Sequence, residues 1–193
     1  LNAAFLNNNR AYIFLAIVLI IGIFIPNYYS MYNMTAIFNG TCLYVYIGVA
    51  FSIAMIAGHM DLSVGYMSTT GAIVCLGMHT LSKLPWIPSI LIAVAVGALV
   101  GIINGLFVTK GKIHSFIATL GMQFILKGGM YIYCNGAEIS VKGDFELSDV
   151  FHASFTWLPI SVFFGITLVC LLVLALILSK TRFGRNIYML GGN

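Results

Sequence analysis

The chain has 193 residues, of which 61% are hydrophobic and 7% are charged, with a net charge of +4. Soluble domains typically carry about 25% charged residues, so the composition excludes a soluble globular protein. Apolar runs recur along the whole length, which also excludes a signal peptide followed by a soluble domain. We therefore predict an all-α, polytopic bundle of transmembrane helices.

Six apolar segments follow one another, each near the length of about 20 residues that a helix needs to cross roughly 30 Å of hydrocarbon. The first ends at Pro26, ahead of Tyr28 and Tyr29, which are typical of a membrane interface. The third is rich in Gly, Ser and Thr, which favours burial among other helices. The sixth is the most uniformly apolar and is expected to face lipid. The predicted spans are residues 11–26, 36–57, 62–81, 87–108, 113–134 and 157–178, in a single transmembrane domain over residues 1–193.

The distribution of basic residues predicts the orientation of these spans. If the N-terminus is cytoplasmic, six bases lie on cytoplasmic segments and two on external ones, in agreement with the positive-inside rule. The cytoplasmic bases are Arg10, Lys110, Lys112, Lys180, Arg182 and Arg185, and the external ones are Lys83 and Lys142. One external loop then contains Glu138, Asp144, Glu146 and Asp149, as a solvated face or as a docking surface for an extracytoplasmic partner. Both termini are predicted to be cytoplasmic.

The fourth span has glycine at every fourth position, at Gly97, Gly101 and Gly105. These residues share one face of a helix, and small residues at this spacing allow two helix backbones to approach closely. We therefore predict that the glycine face packs against another helix. Asn104 lies beside it and can hydrogen-bond across it, either for packing or as part of a transport pathway.

Asp61 is the one acid outside the external loop, and it lies between the second and third spans in the sequence AGHMDLSVG. One interpretation is a helix N-cap, in which the carboxylate accepts hydrogen bonds from the first free amides of the third span. The other is that Asp61 and Ser63 shape the cytoplasmic mouth of a transport pathway. The two interpretations are compatible, because a pathway needs a fixed mouth.

Lys127 lies in the middle of the fifth span, one helical turn after Gln123. A charge at membrane depth is costly and usually faces a cavity or a partner. The following pair, Gly128 and Gly129, would permit a break in the helix, as in the broken helices of transporters. Alternatively, the segment lies at a shallow depth and Lys127 extends to the interface.

Several sequence motifs of chemical function are absent. The chain has no G-x-x-x-x-G-K-[ST] phosphate-binding loop and no H-E-x-x-H sequence. The four cysteines lack C-x-x-C spacing and a histidine at ligand spacing, so we interpret them as small buried side chains. The bases at the ends of apolar runs are determinants of topology. We therefore predict no enzymatic site, no metal site, no bound cofactor and no nucleic-acid partner.

Three segments together resemble a known family. They are GHMDLSVG at residues 58–65, INGLFVTKGKIHSFIATLG at residues 103–121 and KTRFGRNIYMLGGN at residues 180–193. The permease subunits of bacterial ABC sugar importers, in the ribose, xylose, galactoside and arabinose group, have similar motifs in this order and at about this spacing. The resemblance covers essentially the whole chain.

The resemblance implies an inner-membrane permease that moves a monosaccharide or related sugar by alternating access, without covalent chemistry. Its implied partners are a cytoplasmic ATPase subunit that uses the ATP, a second permease subunit and an extracytoplasmic sugar-binding protein. We expect the translocation pathway to include Asp61, Ser63, Asn104, Thr119, Gln123 and Lys127. The matching positions for contact with the ATPase lie in residues 180–193 and are Thr181, Arg182, Phe183, Gly184, Arg185, Gly191 and Gly192. The alternative for their bases is plain positive-inside anchoring of the sixth span.

The sequence departs from the family in two respects. His59 and Met60 stand where the family usually has a Gly-Gly-Ile or similar run, so we assign no sugar contact to His59. The chain begins at Leu1 and ends at Asn193, inside the coupling segment, so we expect a fragment of a longer permease.

Two other functions compete with the importer. An ion-gradient-driven secondary transporter is the alternative, although it would normally have an acidic or histidine relay within its spans. A membrane scaffold without a pathway is the third, and the polar residues of spans three to five argue against it. The sugar itself is left open, as ribose, xylose, a galactoside, arabinose or a sugar-like signalling molecule.

Overall fold

A computed structural model describes residues 9–137 and 161–191 of the chain. The described residues form helices and no strand, which confirms the predicted all-α class. The helices are α1 (Arg10–Ile23), α2 (Met31–Ile56), α3 (Val64–Thr80), α4 (Trp86–Thr109), α5 (Ser115–Tyr133), α6 (Val162–Lys180) and α7 (Arg182–Gly191). The acidic external loop predicted between the fifth and sixth spans lies outside the described residues, apart from its beginning.

The helices end where the sequence contains turn-forming residues. Pro85 precedes α4 with an extended backbone (φ −56°, ψ 158°), as expected for a residue that caps a helix start. Left-handed residues follow α3, α4 and α5 at Lys83, Lys112 and Asn135, with φ of 53°, 52° and 51°. Such residues commonly terminate helices and turn the chain back. The described helices are therefore separated by short turns, and α3, α4 and α5 follow one another closely.

Three helices are long and apolar enough to cross a membrane: α2, α4 and α6. They coincide with the second, fourth and sixth predicted spans. α1 has 14 residues and α3 has 17, and α5, with 19 residues, is not among the three. The chain is thus a membrane protein with three span candidates in its described part, while the count of six crossings stays a prediction.

The chain divides into two compact units, with boundaries inside α2 and inside α6. The first comprises Leu1–Cys42 and Leu147–Val169. Within it, the Ser161 hydroxyl donates a hydrogen bond to Oδ1 of Asn39. The rings of Phe38 and Phe164 pack edge to face with centroids 5.4 Å apart. These contacts join the start of α6 to the first half of α2.

The second unit comprises Leu43–Glu146 and Cys170–Asn193. Its core lies where α3, α4 and α5 contact one another, and Val100, Met122 and Leu126 are its buried apolar members. Most large apolar side chains of the described helices are exposed, as expected where lipid rather than water is the surrounding solvent. Four buried polar residues of this unit, Ser63, Asn104, Ser115 and Thr119, lie at one end of the three helices and form the candidate site. Ser89 lies at the other end of α4.

Candidate functional site

A chain of hydrogen bonds connects the loop between α2 and α3 (residues 57–63, hereafter the α2–α3 loop) to α4. Asn104 Nδ2 donates to Oγ of Ser63 over 3.0 Å. The Ser63 hydroxyl donates in turn to Oδ1 of Asp61 over 2.6 Å, and the same carboxylate oxygen accepts the Ser63 amide at 2.8 Å. Ser63 is fully buried and Asn104 is 6% exposed. These three residues, all predicted for the pathway, therefore form one polar group across α4 and the loop.

Thr119, a fourth predicted pathway residue, joins the same loop from α5. Its Oγ1 accepts the amide of Leu62 at 3.1 Å. The hydroxyl proton faces the carbonyl of Ser115 at 2.8 Å and the carbonyl of Met60 at 3.3 Å. One helical turn earlier, Oγ of Ser115 accepts the amide of Met60 at 3.2 Å. Two hydroxyls on one face of α5 thus hold the backbone of the loop.

Asp61 makes a bond of the kind predicted for a helix cap, just ahead of α3. Its carboxylate accepts the amide and the hydroxyl of Ser63, and that amide is among the first of the predicted third span, which begins at residue 62. The N-cap position of α3 itself is Ser63, whose own side chain makes no capping bond. Asp side chains commonly bond the amide two residues further on. The carboxylate therefore fixes the turn that leads into α3.

One polar atom of this group has no partner. Oδ1 of Asn104 is buried and accepts no hydrogen bond from any described residue. A buried acceptor without a donor costs about 1–3 kcal/mol, so it is exceptional in a folded protein. The atom lies on the same amide whose nitrogen binds Ser63.

Gln123 and Lys127 do not belong to this polar group. Gln123 is half-buried, and Lys127 is exposed and lines a separate cleft of about 530 Å³. Thr69 and Ile73 of α3 form one wall of the cleft, and Phe124, Gly128 and Tyr131 of α5 contribute to the other. Because the chain rises about 1.5 Å per residue in a helix, eight residues place Lys127 roughly 12 Å along α5 from Thr119. The predicted pathway residues are thus divided between two places on α5.

The break that Gly128 and Gly129 would permit in the fifth span is absent. α5 continues from Ser115 to Tyr133 through both glycines. Each glycine weakens a helix interior by up to about 1 kcal/mol, and this does not interrupt α5. Lys127 lines its cleft from a regular helix, and its role in a pathway stays a prediction, as does the alternative that it extends to the interface.

The glycine face of α4 has no neighbour among the described residues. At Gly97, Gly101 and Gly105, no atom beyond the helix backbone lies within 4 Å of where a side chain would begin. The buried face of the helix, with Ser89, Val100 and Asn104, adjoins the glycine face. That the glycine face packs against another helix stays a prediction. The packing helix would belong to a partner subunit or to residues outside the described ranges.

The predicted coupling segment forms helix α7 directly after α6, with a bend at Thr181. Gly184 is buried, and a side chain there would lie 2.6 Å from the Cα of Leu178. Arg182 and Arg185 are exposed on the wall of a groove of about 690 Å³, and Phe183 is also exposed. The segment therefore pairs a tightly packed turn with an exposed basic surface. Gly192, the last predicted coupling residue, lies outside the described residues.

Gly191, another predicted coupling residue, packs on the end of α2. A side chain at Gly191 would overlap the carbonyl oxygen of Ile56 and lie 3.3 Å from the amide nitrogen of Gly58. Gly58 itself has φ +80°, a conformation that suits glycine. The C-terminal end of α7 thus contacts the start of the same loop that α4 and α5 hold.

Sequence reasoning missed Ser115 and Gly58 as members of this site. Ser115 is four residues before Thr119, so both hydroxyls lie on one face of α5, and this spacing was the available signal. Gly58 precedes His59 in the GHMDLS segment, where a left-handed glycine after an apolar run is typical of a helix end. Neither signal indicates which other element the residue contacts.

Comparison with known proteins matches residues 33–193 to the family described as "Branched-chain amino acid transport system / permease component". The ribose import permease protein RbsC of Escherichia coli strain K12 is 30% identical over 184 residues, covering 93% of this chain and 56% of RbsC. The D-allose transport system permease protein AlsC of the same strain is 33% identical over 183 residues, 94% of this chain and 55% of AlsC.

A third relative, the autoinducer 2 import system permease protein LsrC of Photorhabdus luminescens, is 30% identical over 166 residues, 86% of this chain and 49% of LsrC. The chain spans about half the length of the curated relatives it matches. No solved structure matches it significantly. The family match covers most of the chain, from the first turn of α2 through α7, and the chain therefore belongs to this family of transport-system permease components.

Proposed function

We propose that the chain is part of the permease of an ATP-binding-cassette importer for a monosaccharide or related sugar. The observation that carries this proposal is the match of 86–94% of the chain to permeases named for ribose, D-allose and autoinducer 2 transport. The permease moves the sugar by alternating access and performs no covalent chemistry. A separate subunit hydrolyses the ATP, in keeping with the absence of a G-x-x-x-x-G-K-[ST] phosphate-binding loop from this sequence.

The proposed topology has six crossings in a bacterial inner membrane, with both ends of this chain in the cytoplasm. The three described span candidates support the crossings, and the excess of Lys and Arg on alternate turns supports the orientation. In this orientation the α2–α3 loop, the turn between α4 and α5, and helix α7 all lie on the cytoplasmic side. The site and the coupling segment then occupy the same side of the membrane.

The polar group around Asp61, Ser63, Asn104 and Thr119 forms the proposed cytoplasmic end of the translocation pathway. Its hydrogen bonds close the gap between α3, α4 and α5. The cleft at Lys127 is the proposed second part, toward the external side, with Gln123 between the two along α5. A lysine beside aromatic rings suits a sugar, because an ammonium donates to hydroxyls and rings pack on the apolar face of the sugar.

Helix α7 is the proposed contact with the ATPase subunit. Its exposed residues Arg182, Phe183 and Arg185 combine charge with an aromatic side chain, a composition enriched at protein interfaces. The second permease subunit is proposed to cover the glycine face of α4. An extracytoplasmic sugar-binding protein is proposed to dock on the external side, where the acidic loop is predicted to lie.

The proposal is tested by co-expressing the full-length permease with the ATPase and binding protein encoded beside it, purifying the complex through a tag on the permease and measuring ATPase activity in liposomes. We expect the ATPase to co-purify and its activity to rise when ribose, allose or another pentose or hexose is added with the binding protein. The matched control omits the binding protein. Purification without an ATPase, together with uptake driven by an imposed ion gradient, would support the secondary transporter instead.

A further inference from the structure

The α2–α3 loop is held at both of its ends by different helices. At its start, the backbone of Gly191 in α7 packs on the carbonyl of Ile56 and approaches the amide of Gly58 so closely that no side chain fits between them. At its end, the amides of Met60 and Leu62 donate to hydroxyls of α5. The contacts at the two ends are separated by only a few residues of loop.

The contacts at the end of the loop involve its backbone as well as its side chains. Ser115 and Thr119 bind main-chain amides, so they fix the path of the loop whatever its side chains do. On the other side, Asn104 holds Ser63. A loop fixed in this way cannot shift at Gly58 without moving the groups that α4 and α5 present to it.

We propose that the α2–α3 loop transmits the position of α7 to α4 and α5, with Thr119 and Asn104 as positioning residues and Gly191 as the contact made by α7. This inference rests on the proposed function, which assigns α7 to the ATPase contact. It goes beyond that function because it names the route by which the ATPase reaches the helices that form the pathway.

The unpaired oxygen of Asn104 makes a second arrangement of hydrogen bonds available along this route. In the structure the Ser63 hydroxyl donates to Asp61, and Oδ1 of Asn104 has no donor among the described residues. If the loop shifts and the amide of Asn104 rotates so that Oδ1 faces Ser63, the Ser63 hydroxyl can donate to this oxygen instead of to Asp61. A transmitting element needs two discrete arrangements, and here they differ in the acceptor of one hydroxyl.

The first test measures amide hydrogen exchange of the full-length permease in lipid nanodiscs. Thr119→Val removes the hydroxyl that holds Leu62, whereas Thr119→Ser retains it. We expect Thr119→Val to speed exchange in residues 58–63 about threefold for each hydrogen bond lost, and to speed exchange in α7 as well. Thr119→Ser should restore both rates.

The matched control is Thr109→Val, since the hydroxyl of Thr109 bonds only within its own helix, to the carbonyl of Gly105. It should leave exchange in the loop and in α7 unchanged. If Thr119→Val alters the loop and leaves α7 at the rate of the control, the inference is wrong.

The second test starts from the other end of the route. Gly191→Ala places a methyl group against the carbonyl of Ile56 and should speed exchange in residues 58–63 and at the start of α5. The neighbouring change Leu190→Ala, at a side chain that is 68% exposed, serves as its control. Faster exchange confined to α7 in the Gly191 variant would overturn the inference.

The third test measures coupling in the reconstituted importer, as ATP hydrolysed per sugar imported. Thr119→Val and Gly191→Ala should each raise this ratio, and the double variant should raise it no further than the larger single effect, because both act on one route. Independent effects that multiply would contradict the inference. The exchange measurements need neither ATPase nor sugar, so failure of the proposed function and failure of the transmission route give different results.

Discussion

Asn104 and Thr119 are the residues on which the polar site depends, because each connects a helix to the α2–α3 loop. Both are buried, at 6% and 3% exposure, and both bond to groups more than 40 positions away in the chain. In the core of a bilayer no water is present to hydrogen-bond a buried polar group, so loss of its protein partner costs more free energy than for an exposed group. Substitution at these positions should therefore affect the folded protein directly.

Ser63→Ala, which removes the partner of Asn104, should destabilise the protein by about 1–3 kcal/mol. The change leaves the buried amide nitrogen of Asn104 without its acceptor, and a buried polar group deprived of its partner costs about this much. Unfolding of the purified permease in mixed detergent micelles measures the effect, with Thr109→Val as a control that should stay within about 0.5 kcal/mol of the parent. Equal stability of parent and Ser63→Ala would contradict the assigned bond.

Lys127 carries the one charge in the interior of α5, and α5 offers it no acid. If its ammonium donates to sugar hydroxyls in the cleft, Lys127→Met should lower sugar uptake about tenfold or more, since a lost hydrogen bond to a charged group costs about 1.5–3 kcal/mol. Lys127→Arg should retain part of the activity. Initial rates of uptake across a range of sugar concentrations provide the measurement. Normal uptake by Lys127→Met would remove this residue from the pathway.

At the scale of elements, α6 and α7 meet at a turn that only glycine permits. The backbone of Gly184 lies so close to Leu178 that an added Cβ would be 2.6 Å from the Leu178 Cα, and backbone atoms cannot yield as a flexible side chain can. This turn determines where the exposed arginines of α7 point. Helix α7, which the sequence indicated only as a basic segment after the sixth span, is thus held in a defined position against the end of α6.

Gly184→Ala should therefore displace α7 and uncouple ATP hydrolysis from transport, while the protein still inserts into the membrane. Arg182→Glu should have the same effect on coupling by reversing a charge at the surface proposed for the ATPase. The ratio of ATP hydrolysed to sugar imported should rise in both variants. Gly165→Ala in α6, where no atom lies within 4 Å of the added methyl group, is the matched control. A normal ratio in both Gly184→Ala and Arg182→Glu would exclude α7 as the coupling element.

The elements themselves could be predicted well from the sequence, because an apolar run of about 20 residues has few alternatives to a helix. α4 begins one residue before the predicted fourth span and ends one residue after it. The contacts could not be predicted in the same way. That Leu62 would bond to Thr119 depends on how α3 and α5 pack, and no pattern along the chain records a contact across 57 positions.

The types of residue in the sequence suggested candidates for the site, but they did not indicate which of these candidates lie in contact with one another. Asp61, Ser63, Asn104 and Thr119 were singled out as polar residues in apolar surroundings, and they come together. Gln123 and Lys127 were selected for the same reason and lie elsewhere on α5. The separation follows from the continuous helix, in which the eight residues from Thr119 to Lys127 advance about 12 Å along the axis.

For the whole molecule, the orientation in the membrane is the framework on which the site depends. Lys83 and Lys112 are both exposed turn residues with nearly equal left-handed φ angles, so they form a matched pair of reporters on opposite sides. In a permease whose cysteines have been replaced by alanine, Lys83→Cys should react with a membrane-impermeant maleimide in intact spheroplasts. Lys112→Cys should react only after permeabilisation. The reverse pattern would place the α2–α3 loop outside and separate it from any cytoplasmic ATPase.

We propose that hydrolysis of ATP by a partner subunit drives a sugar across the membrane through this permease. The most direct test is uptake of radiolabelled ribose, allose and arabinose into proteoliposomes that contain the full-length permease and its ATPase, with the binding protein added outside and ATP enclosed inside. We expect uptake of at least one of these sugars that requires enclosed ATP and is unaffected by ionophores that collapse proton and sodium gradients. Uptake that proceeds without ATP and stops when an ion gradient is collapsed would contradict it.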